Sequence, residues 1–377
     1  MLRNINLALY VGPVVPLRVS QEVIESLTDV QVNTSSTGPA AFELKFTLSN
    51  RASLVQTLFL LSGGGVPPLI RIVVAVVVSG AVEVLIDGVV TKTQLAPDTG
   101  GGGTMLTVLG EDLSHVMDSV DFSGLFVYPA CPPEARVALI LLRYAILGII
   151  PLIIPSVMLD IPLPTERIPS HVGTDLAYMK LLAGIVGYVF VIEPGPIVGT
   201  SVAYWGPMIR LSPPQPALNV DMDAETNVES ISCSFDANRQ KMPIILIQNQ
   251  LTGLPIPIPI PAVNPLSPPL ALVPPLPKSF PIAADTAHRS FIEATLLGLA
   301  AAANSSQATT ATGALDVLRY GQVLKPRRLV GLRGIGDAFD GLYYVDMVTH
   351  SIKRGEYKQS FTLKRNGLIS TLRRIPT

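Results

Sequence analysis

The chain is poor in the side chains from which most active sites are built. Its four histidines stand far apart, at 115, 171, 288 and 350. None has a second histidine, a cysteine or a carboxylate pair at a spacing that holds a metal or makes an acid–base couple. The two cysteines, Cys131 and Cys233, form no CxxC pair and no disulfide framework, which points to synthesis in a reducing compartment. GxSxG, HExxH and P-loop motifs are all missing. Charge is scarce too, 15% of residues against 48% apolar. That ratio excludes overall disorder and suits a chain that hides much of its surface in an assembly. No apolar h-region followed by a small-residue cleavage site opens the sequence, so cytoplasmic synthesis without a signal peptide is expected.

Three stretches come near to chemistry and stop short. The glycines at 100–103 are followed by Thr104 and a strand-like run, where a phosphate loop needs a lysine and a helix, so they read as a hairpin loop. Residues 334–339, GIGDAF, lack the third glycine of a dinucleotide loop and precede a strand. Asp337 and Asp340 there read as turn-shaping residues. Glu111, Asp112, His115 and Asp118 fall on a short predicted helix at 111–120, with nothing else converging on them. The chain is therefore expected not to be an enzyme and to use no cofactor or metal.

What is present is β-rich. Residues 41–48 alternate Phe42, Leu44, Phe46 and Leu48 against polar neighbours. The run 70–78, IRIVVAVVV, is continuous and β-branched, as in a strand buried on both faces. A second strand is expected at 80–90 with Asp87 and Gly88 as its turn signal, and a third at 104–109, in an antiparallel barrel or sandwich. A helix is expected at 49–61. The apolar run 135–159 is long enough for a membrane span. Arg136, Arg143, Gly148 and Pro151 argue for a helix at 133–147 followed by an extended segment at 149–161. A membrane-associated protein anchored by 135–159 is the alternative functional class.

Further along, 174–186 reads as a helix with a Thr174 N-cap and Gly187 as its stop, leading into the strand YVFVIEP. Strands are expected at 200–210, around the lone Trp205, and at 228–235 and 244–248. Eleven of residues 255–281 are proline. This excludes helix and central strand and predicts polyproline II, laid as a strap over an apolar surface. A helix at 285–304 and a polar linker at 305–313 follow. Residues 319–377 hold twelve Lys and Arg against four Asp and Glu, while the remainder carries an excess of acids. A basic C-terminal module thus faces acidic neighbours.

That module contains the clearest element, a hairpin at 341–368. Residues 342–352 favour a strand, and Lys353, Arg354 and Gly355 supply the turn. Beyond it Tyr357, Gln359, Phe361 and Leu363 point one way and Lys358, Ser360, Thr362 and Lys364 the other. Lys358, Ser360, Thr362 and Lys364, with Arg365 beside them, are the expected assembly surface.

The hairpin also resembles a known family. The strand Gly341, Leu342, Tyr343, Tyr344, Val345, then Val348, Thr349, His350, then RGEY at 354–357, QSF at 359–361 and Arg365 with Asn366 are similar to the closing module of phage late-control D proteins, the tail hub family. Residues 110–114, GEDLS, resemble the segment that closes the family's first barrel. Thr174, Asp175 and Leu176 with Leu182, Ala183 and 187–190 (GYVF) resemble its second-domain helix and strand. The resemblance implies a structural baseplate hub of a contractile phage tail or injection system, joining a six-fold tail tube to a three-fold spike. The implied fold is a β-rich α+β chain. It has two small antiparallel β-barrel domains, at 1–128 and 315–377, around an inserted α+β domain. That domain covers 129–250, part of it able to return to the barrels, and 251–314 is the strap, helix and linker. Three copies would form a ring. The implied partners are itself as a homotrimer, the tail tube protein, a spike protein and other baseplate proteins. Stable membrane insertion is not among them, and nucleic acid is a partner only if a genome passes the channel. The implied place of synthesis is the bacterial cytoplasm, and the place of residence the baseplate of the assembled particle. The sequence stops soon after the motif, so a separate spike protein is expected.

Overall fold

The computed structural model describes residues 6–48, 69–97, 103–156, 168–208, 212–248, 254–260, 268–283 and 291–372. The helix expected at 49–61 lies outside them. The first third of the chain runs β1 (Asn6–Gly12), β2 (Leu17–Arg18), α1 (Gln21–Ser26), β3 (Leu27–Ser35), β4 (Ala41–Leu48), β5 (Arg71–Val78), β6 (Ala81–Pro97) and β7 (Thr104–Asp112). The middle runs α2 (Ser114–Met117), α3 (Pro133–Leu142), β8 (Ile149–Ile153), α4 (Asp175–Ile185), β9 (Val189–Pro194) and β10 (Ser201–Gly206), then β11 (Gln215–Asn219) and β12 (Val228–Phe235). The last part runs β13 (Ile244–Gln248), β14 (Pro255–Pro259), β15 (Ala271–Val273), α5 (Phe291–Ser305), β16 (Thr309–Asp316), α6 (Val317–Tyr320), β17 (Leu329–Arg333), β18 (Gly341–Lys353), β19 (Glu356–Arg365) and β20 (Leu368–Ser370).

Thirteen of these strands form one sheet. One arm is β1-β5-β6-β7-β4-β3, with the short β2 on β1. The other is β18-β19-β16-β12, with β17 and β11 joined to the start of β18. The arms meet where β18 pairs antiparallel with β3, Val348 opposite Thr34 and Ile352 opposite Val30. Neither arm closes: among the described residues β1 does not pair with β3, nor β11 with β12. The expected pair of separate barrels is thus replaced by one open, continuous sheet. The reason lies in β18. Its thirteen residues serve two partners in turn, β17 through 341–344 and β3 through 347–353. The ladder with β19 slips between Val345 and Met347, so Asp346 sits in a bulge that re-aims the strand. The Asp346 carboxylate accepts from Ser36 Oγ at 2.6 Å and its carbonyl from Ser36 N at 2.7 Å, which ties the bulge to the end of β3. One hydrophobic core runs under both arms, from Leu9, Phe46 and Ile72 to Tyr343, Phe361 and Leu363.

Asp87 and Gly88 do not turn the chain. They lie inside β6, and the reversal occurs at Ser79 and Gly80, both with positive φ. Asp87 is buried because Arg71, on the neighbouring strand, faces it. Arg71 donates to its two carboxylate oxygens at 2.7 and 2.6 Å, and to the carbonyls of Val14 at 2.8 Å and Gly199 at 2.9 Å. Ser201 Oγ adds a bond to Asp87 at 3.1 Å. This saturated ion pair fastens the sheet to the middle of the chain.

The middle unit packs α3 and α4 against a three-stranded sheet, with β8 parallel and β9 antiparallel to β10. Its core gathers Val137, Ile140, Met179, Leu182, Phe190 and Trp205. Helix α4 starts where Thr174 Oγ1 accepts from Ala177 N at 3.1 Å and stops at Gly187, φ +71°. The apolar run from 135 is divided into α3, a 3₁₀ turn at Ala145–Leu147 and strand β8. No helix among the described residues is long and apolar enough to cross a membrane.

The chain then returns to the sheet through β11, parallel to β17, and β12, antiparallel to β16. Strand β16 occupies much of the expected 305–313 linker. Its sequence TTATGALD has no bulky β-former, yet Thr309, Ala311 and Leu315 are buried against β19. The proline-rich stretch is not polyproline II throughout. Residues 255–259 form β14, paired antiparallel with β13. The register explains how proline is accommodated: Ile260 N donates to Pro243 O, so the N–H groups at 256 and 258 face β13 and the prolines at 255, 257 and 259 face the free edge. Downstream, Leu270 packs on Leu329, Leu342 and Tyr344, as a strap does on an apolar surface.

Candidate assembly surface

Strand β19 lies inside the sheet, between β16 and β18, so its contribution to any interface is its outward face. Gly355, φ +79°, makes the tight turn that sets its register. Tyr357, Gln359, Phe361 and Leu363 are buried, and Ser360 is exposed between partly covered Lys358, Thr362 and Lys364. The inward residues include a polar cluster. Gln359 exchanges two 2.9 Å bonds with the backbone of Leu324, and His350 Nδ1 lies 2.8 Å from the Tyr357 hydroxyl. Burial pushes the His350 pKa down to about 3, so the ring is neutral.

Arg365 does not belong to the surface. It shares the parity of Tyr357 and Leu363, and the pleat carries its side chain inward to complete burial. The guanidinium donates at 2.8 Å to the carbonyls of Gly367, Asp340 and Ala338, and stacks 4.5 Å from the Tyr343 ring centroid. It braces the turn before β18. In that turn the Asp340 carboxylate accepts from the amides of Gly334, Ile335 and Gly336, the shaping role expected of it. The alternation alone placed Arg365 inside; its charge class suggested outside, and the carbonyl cage resolves the conflict.

Four cations of the basic module are paired within the chain. Lys358 pairs with Glu229 at 3.1 Å and Glu356 at 3.0 Å, Lys364 with Asp346 at 2.7 Å, and Arg327 with Glu193 at 3.0 Å; Lys325 pairs with Glu83. Three of these acids come from the first arm and the middle of the chain. The acidic neighbours expected from the charge asymmetry are therefore partly the chain's own.

The more conspicuous exposed surfaces are apolar, and sequence periodicity did not single them out. On the middle unit Leu139, Leu142 and Ile146 of α3 and the following turn are exposed, as are Ile150 and Leu152 of β8. A neighbouring loop adds Leu125 and Val127. The two parts are linked by Arg143, whose guanidinium lies 4.1 Å from the Phe126 ring centroid. Arg143 is the sole charge in 137–154, and it is engaged by Asp175 at 3.1 Å. On the strap Leu254, Ile256, Leu272, Leu276, Phe280 and Ile282 are exposed. A signal was available in the low charge of both stretches.

The nearest approach to catalytic geometry lies beneath the first patch. His171 Nδ1 is 3.1 Å from the Tyr128 hydroxyl and Nε2 is 3.4 Å from Asp175 Oδ1, while Tyr144 donates to Asp175 Oδ2 at 2.7 Å. His171 and Asp175 are buried, and burial lowers the His171 pKa. The cluster holds the 121–128 loop to α4. The carboxylates near His115 are spent locally: Asp112 caps Ala40 N and Ser114 N, and Asp118 accepts from Thr174. No three His, Cys, Asp or Glu converge as metal ligands among the described residues.

No protein-family model matches the sequence, and no curated protein does. Solved structures do. A tail protein from Neisseria meningitidis aligns over 97% of this chain and 98% of its own, with TM-score 0.62 and 15% identity. The chain has the fold of a phage tail protein. The 43 kDa tail protein of prophage MuSo2 from Shewanella oneidensis shares this tail-protein fold over 96% and 98% of the two chains, TM-score 0.59, 13% identity. So does a type VI secretion system component of E. coli, itself described as similar to T4 bacteriophage tail proteins gp27 and gp5, over 93% and 78%, TM-score 0.52, 11% identity. The tail-protein fold that the C-terminal hairpin suggested is thus the observed one.

Proposed function

We propose that this chain is the structural hub of a contractile phage tail or phage-tail-like injection system, joining the tail tube to the spike within the baseplate as a homotrimer. The observation that carries the proposal is the end-to-end match with whole tail proteins, 97% of this chain against 98% of the first. Similarity to a chain of the PdpA–VgrG complex, over 100% of this chain and 67% of that one at TM-score 0.59, supports a place at the spike end of such a machine. The surface chemistry agrees. Internal ion pairs take up part of the scarce charge, and many large apolar side chains stay exposed, as suits a chain that is buried in an assembly. The outward face of β19, with Ser360 and Thr362 between Lys358 and Lys364, is the proposed contact with the tube. Deleting the coding sequence from a particle-producing strain tests the role. Electron microscopy is expected to show tubes and sheaths without an attached spike, and complementation to restore whole particles. Intact, spike-bearing particles from the deletion strain overturn the hub reading.

A further inference from the structure

A cavity of about 390 Å³ lies where both arms of the sheet meet the middle unit, within the size range of ligand sites. Val84, Leu85, Ile192, Val323 and Leu324 give it apolar walls. His350 borders it from β18, although only 3% of its surface is accessible. The imidazole has one edge in use and one open. Gln359 is oriented by its two bonds to the Leu324 backbone, so it presents its amide nitrogen to His350 Nδ1, at 3.3 Å. The Tyr357 hydroxyl reaches the same Nδ1. An N–H of Gln359 facing Nδ1 makes that atom the acceptor, which puts the ring proton on Nε2. Nε2 makes no hydrogen bond among the described residues, and unlike His171 Nε2 it is not sealed from solvent. The cavity therefore holds a neutral donor without an acceptor. Its charged lining residues leave little free charge inside: Glu83 is paired with Lys325, Glu193 with Arg327, and Arg328 is exposed.

Two strand edges border the same cavity. The Ser79–Gly80 turn sets Ala81 opposite Val78, so Ala81 and Glu83 direct their backbone groups to β5 and Val82 and Val84 direct theirs away from it. No strand lies there, because β7 joins β6 only from Gly88 onward. On β9, Gly195 N donates to Thr200 O, so Val191, Glu193 and Gly195 face β10. The amide and carbonyl of Ile192 and the carbonyl of Pro194 then face an edge with no strand beyond it among the described residues. We infer that the cavity binds an extended, neutral peptide segment of a partner protein, which pairs its backbone with these edges and gives one carbonyl to His350 Nε2. Backbone pairing decides the ligand class. A strand edge presents an N–H and a C=O from every second residue, and an extended polypeptide carries the matching pair at the same repeat. The apolar walls take side chains from one face of such a strand. Charge decides the rest. A carboxylate buried against a neutral donor is left uncompensated, whereas a peptide carbonyl is satisfied by it. The inference goes beyond the hub reading and stands or falls without it.

The test is calorimetric titration of the full chain with a tetrapeptide of alternating serine and leucine, acetylated and amidated so that it carries no charge. A second probe is the same peptide with every backbone nitrogen methylated, which keeps the apolar side chains and removes the donors. The first peptide is expected to bind, and the methylated one to bind about tenfold more weakly or less. His350→Phe keeps a ring in place and removes the Nε2 donor, and it should weaken binding of the first peptide by about tenfold. Val82→Trp places a bulky ring at a lining position that is 55% exposed, where the fold can carry it, and should abolish binding. Circular dichroism of both variants is expected to match the native chain, and if His350→Phe does not fold, Val82→Trp decides. Equal binding of the two peptides overturns the inference in favour of a merely apolar site. No binding to the native chain, or binding left unchanged by Val82→Trp, overturns it outright.

Discussion

The sheet and the strap solve the same problem in opposite ways. In the sheet, the largest buried charged and polar side chains find partners within the chain. Arg71 and Asp87 satisfy one another, Arg365 is caged by three carbonyls, and Gln359 bonds the Leu324 backbone. Its strands are paired across the chain's full length, so that residues 30 and 352 are neighbours. In the strap and on the α3–β8 surface, apolar side chains face outward and prolines close the edges. An unfinished surface keeps its donors hidden and leaves apolar area to be covered later. The first is completed by folding, and the second is left exposed by it.

Mutations can break that division, and the largest effect is expected in the sheet. Arg71→Ala leaves Asp87 buried without its ion pair and removes the donors to Val14 and Gly199. Losing one partner of a buried pair costs about 3–5 kcal/mol. Urea unfolding is expected to show that loss, and a change below about 1 kcal/mol would contradict the role given to this joint.

Acid should come next. His350 is neutral in the fold, with a pKa near 3 against an ordinary value of 6.5. The unfolded chain therefore binds the extra proton first. Its contribution is complete above pH 6.5 and declines as pH falls toward 3. Stability measured across that window is expected to fall less steeply in His350→Gln than in the native chain. Parallel slopes would assign the acid sensitivity to other groups.

The smallest effect on the fold sharpens the comparison from the other side. Thr174→Ala removes the α4 cap bond and is expected to cost about 1 kcal/mol. Substitutions of exposed Leu276 or Leu142 to Ala should change thermal stability by no more than about 0.5 kcal/mol.

Much of this was legible in the chain. Strands 228–235 and 244–248, the Thr174 cap, the Gly187 stop and the inward and outward faces of β19 follow from period, capping and turn chemistry, which act within a few residues. Other features depend on partners distant in sequence. Asp87 and Gly88 have the composition of a turn, and pairing with β5 and β7 together with the Arg71 ion pair keeps the strand running. TTATGALD becomes a strand because β12 and β19 flank it. Arg365 goes inside because carbonyls at 338, 340 and 367 meet there. The two expected barrels became one sheet because a bulge at Asp346 lets β18 pair in turn with β17 and β3. Local pattern specifies which faces of a strand are wet or dry. Which strand lies beside it, and whether a buried charge finds its partner, is set by the packing of the whole chain.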